Sequence, residues 1–318
     1  MSGVVTVSAE TANSARPAPK WTAYVQLGKL RVYHRLYHWI VLLALLYSDS
    51  VSLHGATTAL VLVPLLLLSI QSSACAMDDI MGFRDGCDIA NYGAADYPDM
   101  IRKPLVAGVL SVRQAVAFVV TVVTVATIAV VTTALSLGVD VLPALAIWAV
   151  VIGIALQYSG GLKFSYVPGG LELFISGLTV VVTIIPYLMI AHTVTSTVVL
   201  IGLLTGSWFL MPVSYGNMAD RVGDGAANRR TLAVVLSPRN FQGAIWILYG
   251  YSIVLTVLLF TVGDLHPLTA LLLLPVVVMQ AVQHYQGIVK GHVRKAMKFG
   301  FRCIDVGMLG LTAAILLS

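Results

Sequence analysis

Nine long apolar segments dominate this sequence, and they limit what it can fold into. A helix needs about 20 apolar residues to cross a bilayer, and only helices or closed barrels satisfy their backbone polar groups in lipid. Charged residues make up only 10% of the chain, against roughly 25% in soluble domains. We therefore expect an all-α, multi-pass membrane protein with nine transmembrane helices, near residues 32–53, 56–80, 111–135, 141–160, 170–191, 195–217, 240–262, 267–288 and 300–318.

Two acidic islands, residues 78–88 and 217–224, interrupt the apolar sequence. Each ends a long apolar segment, and each is followed by a basic pair, at 102–103 or 229–230. Mg²⁺ binds one or two carboxylates and fills its remaining positions with water and phosphate oxygens, and Arg or Lys neutralises further phosphate charge. The islands therefore indicate a divalent metal that bridges to a phosphorylated ligand. With their linkers they contain eight of the 14 acidic residues, namely Asp78, Asp79, Asp85, Asp88, Asp96, Asp99, Asp220 and Asp224.

Helix geometry favours metal binding by both islands. Asn217, Asp220 and Asp224 are spaced i, i+3, i+7, so they share one helix face. In the first island Asp78 and Asp85 are seven residues apart and nearly eclipsed. The alternative is that these acids form a solvated helix end at the membrane interface. The candidate metal ligands are Asp78, Asp79, Asp85, Asp88, Asn217, Asp220 and Asp224.

The remaining composition narrows the partners and the domain organisation. The net charge of +5 is explained by topology and membrane lipids, and the sequence has no basic surface with stacking aromatic residues for nucleic acid. Residues 1–29 are polar and are expected to form a disordered cytoplasmic tail, and residues 30–318 a single transmembrane domain. Asp78 and Asp220 each end the second helix of a four-helix group, which suggests two repeated groups plus a ninth helix around a central cavity.

Three segments resemble the UbiA superfamily of intramembrane prenyltransferases. The sequence GNMADRVGDGAANRRTLAV, residues 216–234, is similar to the second aspartate motif of that family. The first island and the following RKPLVAGVLS occupy the place of the first motif. The segment YSGGLKFSYVPGGLELFISG, residues 158–177, looks like the family's segment between helices four and five. The resemblance covers residues 30–318.

The chain departs from the family's first motif at two positions. It has Asp78 where the family usually has Asn, and Gly82 where the family has Asp. Asp85 or Asp88 could supply the missing carboxylate. We expect Asp85 to matter more, because it lies nearly over Asp78, whereas Asp88 lies beyond Gly86, where the helix is expected to end. Altered motifs also occur in family members that cyclise the prenyl chain.

The resemblance implies a Mg²⁺-dependent prenyltransferase. Two Mg²⁺ ions, one on each island, would bind a polyprenyl diphosphate, whose ionisation gives an allylic carbocation that an aromatic or other small acceptor attacks. Asp220, Asp224, Lys163 and Tyr158 would be catalytic, and Arg102, Lys103 and Arg230 would bind the diphosphate. The alternative for these Lys and Arg residues is that they only set the topology of the chain in the membrane. The alternative for Tyr158 is that it belongs to the belt of aromatic residues at the membrane interface.

Two rival functions remain open at this stage. A terpene cyclase on the same scaffold would form product without an acceptor. An ion-coupled transporter would need charged groups inside the spans, whereas here the carboxylates cluster at one face.

The distribution of basic residues predicts the orientation in the cell membrane. All 19 Lys and Arg residues fall on one side of the nine segments, and the intervening loops near 49–54, 136–140, 192–196 and 263–267 contain none. The positive-inside rule places the amino terminus and both islands in the cytoplasm and the carboxyl terminus outside. Labelling of Cys87 from the external face of sealed cells would contradict this orientation.

Overall fold

The computed structural model describes residues 20–51, 57–92 and 103–318. Every regular element in these ranges is helical. The α-helices are α1 Lys20–Leu27, α2 Tyr37–Ser48, α3 Thr57–Arg84, α4 Cys87–Tyr92, α5 Val112–Leu137, α6 Val141–Gln157, α7 Gly170–Ala191, α8 Ser196–Ala226, α9 Leu232–Val235, α10 Pro238–Thr261, α11 Leu274–His284 and α12 Val293–Leu316. A 3₁₀ segment, Pro267–Leu273, leads directly into α11, and a π-helical turn, Tyr285–Val289, follows it.

Seven of the described helical segments are long and apolar enough to cross a membrane, so the chain is a multi-pass membrane protein. They are α3, α5, α7, α8, α10, the continuous segment Pro267–Val289 and α12. The predicted spans near 32–53 and 141–160 contain the shorter helices α2, of 12 residues, and α6, of 17 residues. The described structure thus yields seven full-length spans, and the predicted count of nine and the internal repeat are not confirmed.

Both islands extend transmembrane helices, as expected. The second apolar segment continues without a break to Arg84, and the sixth continues to Ala226. Gly86, at φ +81°, follows the end of α3 in the left-handed conformation that glycine adopts at low cost. The acids of the first island are therefore divided: Asp78 and Asp79 lie on α3, Asp85 lies between the two helices, and Asp88 lies on the short helix α4.

Helix α8 forms the centre of the bundle. It packs against α7, α10 and α12, and its apolar stretch is the most buried of the seven candidate spans. Helix α3 packs against α5 and α6 on the other side. Fully buried Trp208 and Tyr187 belong to the main apolar cluster that joins these helices. The ends of α3 and α8 are thus held at fixed positions in one bundle.

The amino-terminal tail is partly ordered, which corrects the prediction of disorder through residue 29. Residues 20–27 form α1, and its Ala23 and Leu27 are buried against Ala76, Ile80 and Ala115. Burial of these apolar side chains offsets the entropy lost on ordering the segment. Residues 1–19 lie outside the described residues.

The contact between α12 and α8 yields a test of the fold. A Cβ at Gly307 would lie 2.7 Å from the Trp208 ring, whereas a Cβ at Gly250, on α10, meets nothing within 4 Å. Overpacking typically costs about 1–3 kcal/mol, so Gly307→Ala should lower the melting temperature in detergent. Gly250→Ala, the matched control, should leave it unchanged or higher, since alanine favours helix. A Gly307→Ala variant as stable as the wild type would contradict this packing.

Candidate functional site

A salt bridge joins the end of α3 to the loop after α8. Arg229 Nη1 lies 3.1 Å from Asp78 Oδ1, and Ser159 Oγ donates to the same oxygen at 2.8 Å. The Arg229 side chain is buried. Burial opposes its charge, but Asp78 together with neighbouring groups such as Asp224 outweighs that effect and raises the pKa of Arg229. The site therefore holds a charged guanidinium in a largely dry environment.

A second cluster lies beside this pair. Lys103 Nζ lies 2.8 Å from Asp79 Oδ1 and 2.9 Å from Asp88 Oδ2, and Lys29 Nζ approaches Asp79 at 3.5 Å. Asp79, Asp88 and Lys103 are all buried. Burial raises the pKa of Asp88, although Lys103 opposes the shift. Three carboxylates are thus balanced by three cations, since Arg229 pairs with Asp78.

The carboxylate of Asp88 fills the space above Gly82. A Cβ built on Gly82 would lie 2.7–2.9 Å from Cγ and both carboxylate oxygens of Asp88. Asp85 points elsewhere: its Oδ2 accepts a hydrogen bond from Tyr166 Oη, and its Oδ1 accepts one from the Cys87 backbone at 3.0 Å. The carboxylate of Asp88, and not that of Asp85, therefore occupies the space that a side chain at position 82 would take.

The second island contacts the first at the same end of the bundle. The buried Asp224 accepts a hydrogen bond from the thiol of Cys87, on α4, at 3.4 Å. Burial raises the pKa of Cys87 to about 12, so the thiol is neutral and acts as the donor. Asn217 Nδ2 donates to Glu172 Oε1 at 3.2 Å, and the side chain of Asp220 is partly buried. The structure thus brings both predicted islands to one end of the bundle.

The predicted cations and Tyr158 do not all lie within the cluster of ion pairs. Lys103 lies in the site, as described above. Arg230 is exposed, and its backbone N–H donates to Ser165 O at 3.0 Å. Lys163 lies over the Tyr166 ring, with Nζ 4.7 Å from the centroid. Tyr158 stacks on Phe174 with centroids 4.8 Å apart. Arg102, Asp96 and Asp99 lie outside the described residues.

Sequence reasoning missed four contributors. Arg230 was predicted to bind the diphosphate, whereas its neighbour Arg229 was not. In the structure the Arg229 side chain is buried and the Arg230 side chain is exposed. Glu172 accepts hydrogen bonds from Asn217 and from the Leu232 backbone, so it fixes the end of α8 against α9. The other two missed contributors are Ser159 and Lys29. For Glu172 its place at the start of a predicted span was a usable signal, whereas the others depend on tertiary contacts.

The donor set of the site matches Mg²⁺, which prefers oxygen ligands and needs only one or two carboxylates. Asp79 Oδ2 is buried without a hydrogen-bond partner among the described residues, as are Nε and Nη2 of Arg229. A carboxylate oxygen and guanidinium N–H groups are thus left for a cation and an anion, respectively. Within the described ranges, no three His, Cys, Asp or Glu side chains converge closely enough to form a complete metal cage. The arrangement suits a metal whose remaining ligands come from a substrate.

Comparison with known proteins agrees with this geometry. The model of the UbiA prenyltransferase family matches residues 37–303. No curated protein matched in a sequence search.

Three solved structures illustrate the similarity in fold. A digeranylgeranylglyceryl phosphate synthase aligns with a TM-score of 0.64 at 13% identity, over 94% of this chain and 99% of its own. A UbiA homologue from Archaeoglobus fulgidus, bound to DMAPP and Mg²⁺, gives 0.60 at 13% identity over 89% and 99%. An apo UbiA homologue from Aeropyrum pernix K1 gives 0.66 at 13% identity over 90% and 98%. At these identities the matches establish the fold.

Proposed function

The chain belongs to the UbiA prenyltransferase family, and we propose on that premise that it transfers a prenyl group from a polyprenyl diphosphate to an aromatic or other small acceptor in the membrane. One observation carries the proposal: the acidic ends of α3 and α8 meet at one end of an apolar bundle, and buried Arg229 and Lys103 lie between them. The Archaeoglobus fulgidus homologue binds DMAPP or GPP with Mg²⁺, which supports a prenyl diphosphate as the substrate. The one-sided distribution of basic residues supports a location of this site at the cytoplasmic face.

The two islands would hold Mg²⁺, and we expect two ions. In this chain the candidate ligands are Asp78, Asp79 and Asp88 on one side and Asn217, Asp220 and Asp224 on the other. The bound metal supplies Lewis-acid stabilisation of the diphosphate leaving group. Asp85, which contacts Tyr166 and the Cys87 backbone, has a positioning role in this scheme. Glu172 likewise orients Asn217.

Arg229 and Lys103 would bind the diphosphate directly. Each side chain is buried and forms a salt bridge with a carboxylate. When a diphosphate binds with its metal ions, the diphosphate can pair with the cation and a metal ion with the carboxylate. No buried charge would then be left without a partner. Hydrogen bonds from charged donors to phosphate are shorter and stronger than neutral ones. These cations would stabilise the negative charge that develops on the leaving group as the C–O bond breaks. Arg102, Arg230 and Lys163 stay candidates for outer contacts.

Tyr158 is placed to stabilise the allylic cation. It follows α6 directly, next to Ser159, which donates to Asp78, and its ring packs on Phe174 at the boundary between the polar site and the apolar core. An aromatic face attracts a cation by its quadrupole, and more strongly where water is excluded. The acceptor, or a double bond of the substrate's own chain, would then attack the cation.

The test of the function separates transfer from cyclisation. Purified protein is incubated with Mg²⁺ and prenyl diphosphates of several lengths, with and without phenolic acceptors, and the lipid extracts are analysed by mass spectrometry. Transfer predicts an adduct only when acceptor is present, whereas the alternative cyclase predicts product from the diphosphate alone. Asp220→Ala and Asp224→Ala should abolish either product while the protein stays folded in detergent. Absence of product from every diphosphate would contradict both reactions.

The contact between Gly82 and Asp88 predicts a carboxylate exchange. Asp88→Ala should lower kcat/KM by about tenfold or more and raise the Mg²⁺ requirement, since a lost charge-assisted contact costs roughly 1.5–3 kcal/mol. Gly82→Asp alone should also be impaired, because its Cβ collides with the Asp88 carboxylate. The double variant Gly82→Asp/Asp88→Ala should recover activity, since the carboxylate is restored and the collision removed. Asp85→Ala should be milder than Asp88→Ala.

Steady-state rates over a Mg²⁺ titration decide between these outcomes, and the non-additivity of the two changes measures their coupling. A double variant no more active than Asp88→Ala would show that Asp88 does not replace a carboxylate at position 82.

A further inference from the structure

A buried hydrogen bond joins α8 to α11 just before α8 enters the second island. Tyr215 Oη and His284 Nδ1 share this bond at 2.8 Å, and both side chains are fully buried. The His284 ring also lies nearly perpendicular to the rings of Trp246 and Tyr249, with centroids 5.1 and 4.9 Å away. Nothing in the proposed chemistry uses this pair.

We infer that His284 is a positioning residue: through Tyr215 it fixes the place of the second island, and thereby the affinity of that island for its divalent metal. The inference rests on the proposed function and assigns a further residue to the same site. Three observations carry it: a proline that interrupts α8, the opposite faces of α8 that hold the bond and the island, and the tight packing around Tyr215.

Pro212 interrupts the backbone hydrogen bonds of α8 less than one turn before Tyr215. Proline has no N–H, so the bond from position 212 to the carbonyl of Trp208 is missing. Such a break lets the two parts of a helix bend relative to each other. The segment from Tyr215 to Ala226, which carries the second island, therefore needs contacts of its own to fix its position.

The bond and the metal-facing side chains lie on opposite faces of α8. At about 100° per residue, Asn217, Asp220 and Asp224 are rotated by roughly 140–180° from Tyr215. Accordingly Asn217 contacts α7 and Asp224 contacts α4, whereas Tyr215 contacts α11. Because the helix backbone turns as a unit, a shift of Tyr215 on one face moves the carboxylates on the other.

Tight packing leaves the Tyr215 ring little freedom to move without its neighbours. A Cβ on Gly287, in the π-helical turn after α11, would collide with this ring and with Ala296 of α12. The absence of a side chain at Gly287 thus lets the backbone of the turn contact the ring directly. Packing restrains the ring, and the bond to His284 fixes its hydroxyl.

Metal affinity depends on such fixed positions. Mg²⁺ binds oxygen at about 2.0–2.1 Å and demands near-octahedral geometry, so a small displacement of the carboxylates weakens its binding. Loss of the bond between α8 and α11 should therefore weaken metal binding by the second island, although neither Tyr215 nor His284 is a ligand.

Two replacements of His284 separate positioning from stability. The amide of an asparagine occupies the place of Nδ1 and can still bond to Tyr215, but the smaller side chain leaves a void beside Trp246 and Tyr249. Voids in the interior destabilise a protein, so His284→Asn should lower the melting temperature and keep the metal affinity. His284→Leu fills more of the volume and cannot form the bond, so it should lose metal affinity. Tyr215→Phe removes only the hydroxyl and should behave like His284→Leu.

Ser252→Ala is the matched control. Trp208 Nε1 donates to Ser252 Oγ at 3.0 Å, so this variant also removes a buried hydrogen bond of α8, but on the other side of the proline. The measurement is equilibrium binding of Mn²⁺, detected by electron paramagnetic resonance, to full-length protein in nanodiscs with a non-reactive prenyl thiodiphosphate. Reaction rates over a Mg²⁺ titration and melting temperatures are recorded on the same samples.

We expect Tyr215→Phe and His284→Leu to weaken Mn²⁺ binding by about fivefold or more, since residues that orient metal ligands typically contribute about 10–100-fold in affinity. Both variants should need correspondingly more Mg²⁺ for half the maximal rate. His284→Asn and Ser252→Ala should stay within about twofold of wild type. The double variant Tyr215→Phe/His284→Leu should bind no more weakly than the single variants, because all three lack the same bond.

Unchanged Mn²⁺ binding in Tyr215→Phe would overturn the inference. So would metal affinities that follow the melting temperatures across the variants, because His284 would then have a purely structural role. A wild-type protein that neither binds Mn²⁺ nor converts any prenyl diphosphate would instead refute the proposed function.

Discussion

The structure depends on pairing carboxylates that the fold removes from water. Moving a charged carboxylate into a protein interior costs several kcal/mol unless a partner compensates it, and Asp79, Asp88 and Asp224 are all buried. Compensation comes from Lys103, which pairs with Asp79 and Asp88, and from the thiol of Cys87, which donates to Asp224 from 137 positions away, while Arg229 pairs with Asp78 in the same site. The pairing therefore draws α3, α4, the loop before α7 and the end of α8 to one end of the bundle. The same contacts assemble the candidate site.

A site built from ion pairs is matched to a ligand that carries both signs of charge. A diphosphate with its metal ions can take over both halves of a pair such as Arg229 and Asp78, so the protein's charges remain compensated before and after binding. Within the part of the chain that the structure describes, Nε and Nη2 of Arg229 and Oδ2 of Asp79 have no hydrogen-bond partner, and that exchange would start at these atoms. Below the site, the apolar cluster that includes Phe174 reaches a cavity between α3, α5, α6 and α7. The polar site and this apolar cavity thus lie at opposite ends of the bundle.

The sequence predicted the parts of this arrangement that depend on local pattern. Apolar length indicated the spans, and helix spacing indicated that the islands extend α3 and α8. It ranked Asp85 above Asp88 from helix spacing alone, because the position of Asp88 over Gly82 depends on how α4 folds back on α3. It predicted Arg230 rather than Arg229 for a similar reason. The two residues are adjacent in sequence, and only the conformation of the loop determines which side chain is buried. Helix α1 was missed because its few apolar residues are stabilised by burial against α3 and α5.

We propose that buried Arg229, and not exposed Arg230, receives the diphosphate. The most direct measurement is the equilibrium affinity for a non-reactive prenyl thiodiphosphate, with and without Mg²⁺, in Arg229→Gln and Arg230→Gln protein. Loss of one charge-assisted contact of roughly 1.5–3 kcal/mol predicts affinity weakened by about tenfold or more in Arg229→Gln, with Arg230→Gln close to wild type. Equal affinities in the two variants, or binding that does not depend on Mg²⁺, would contradict the account.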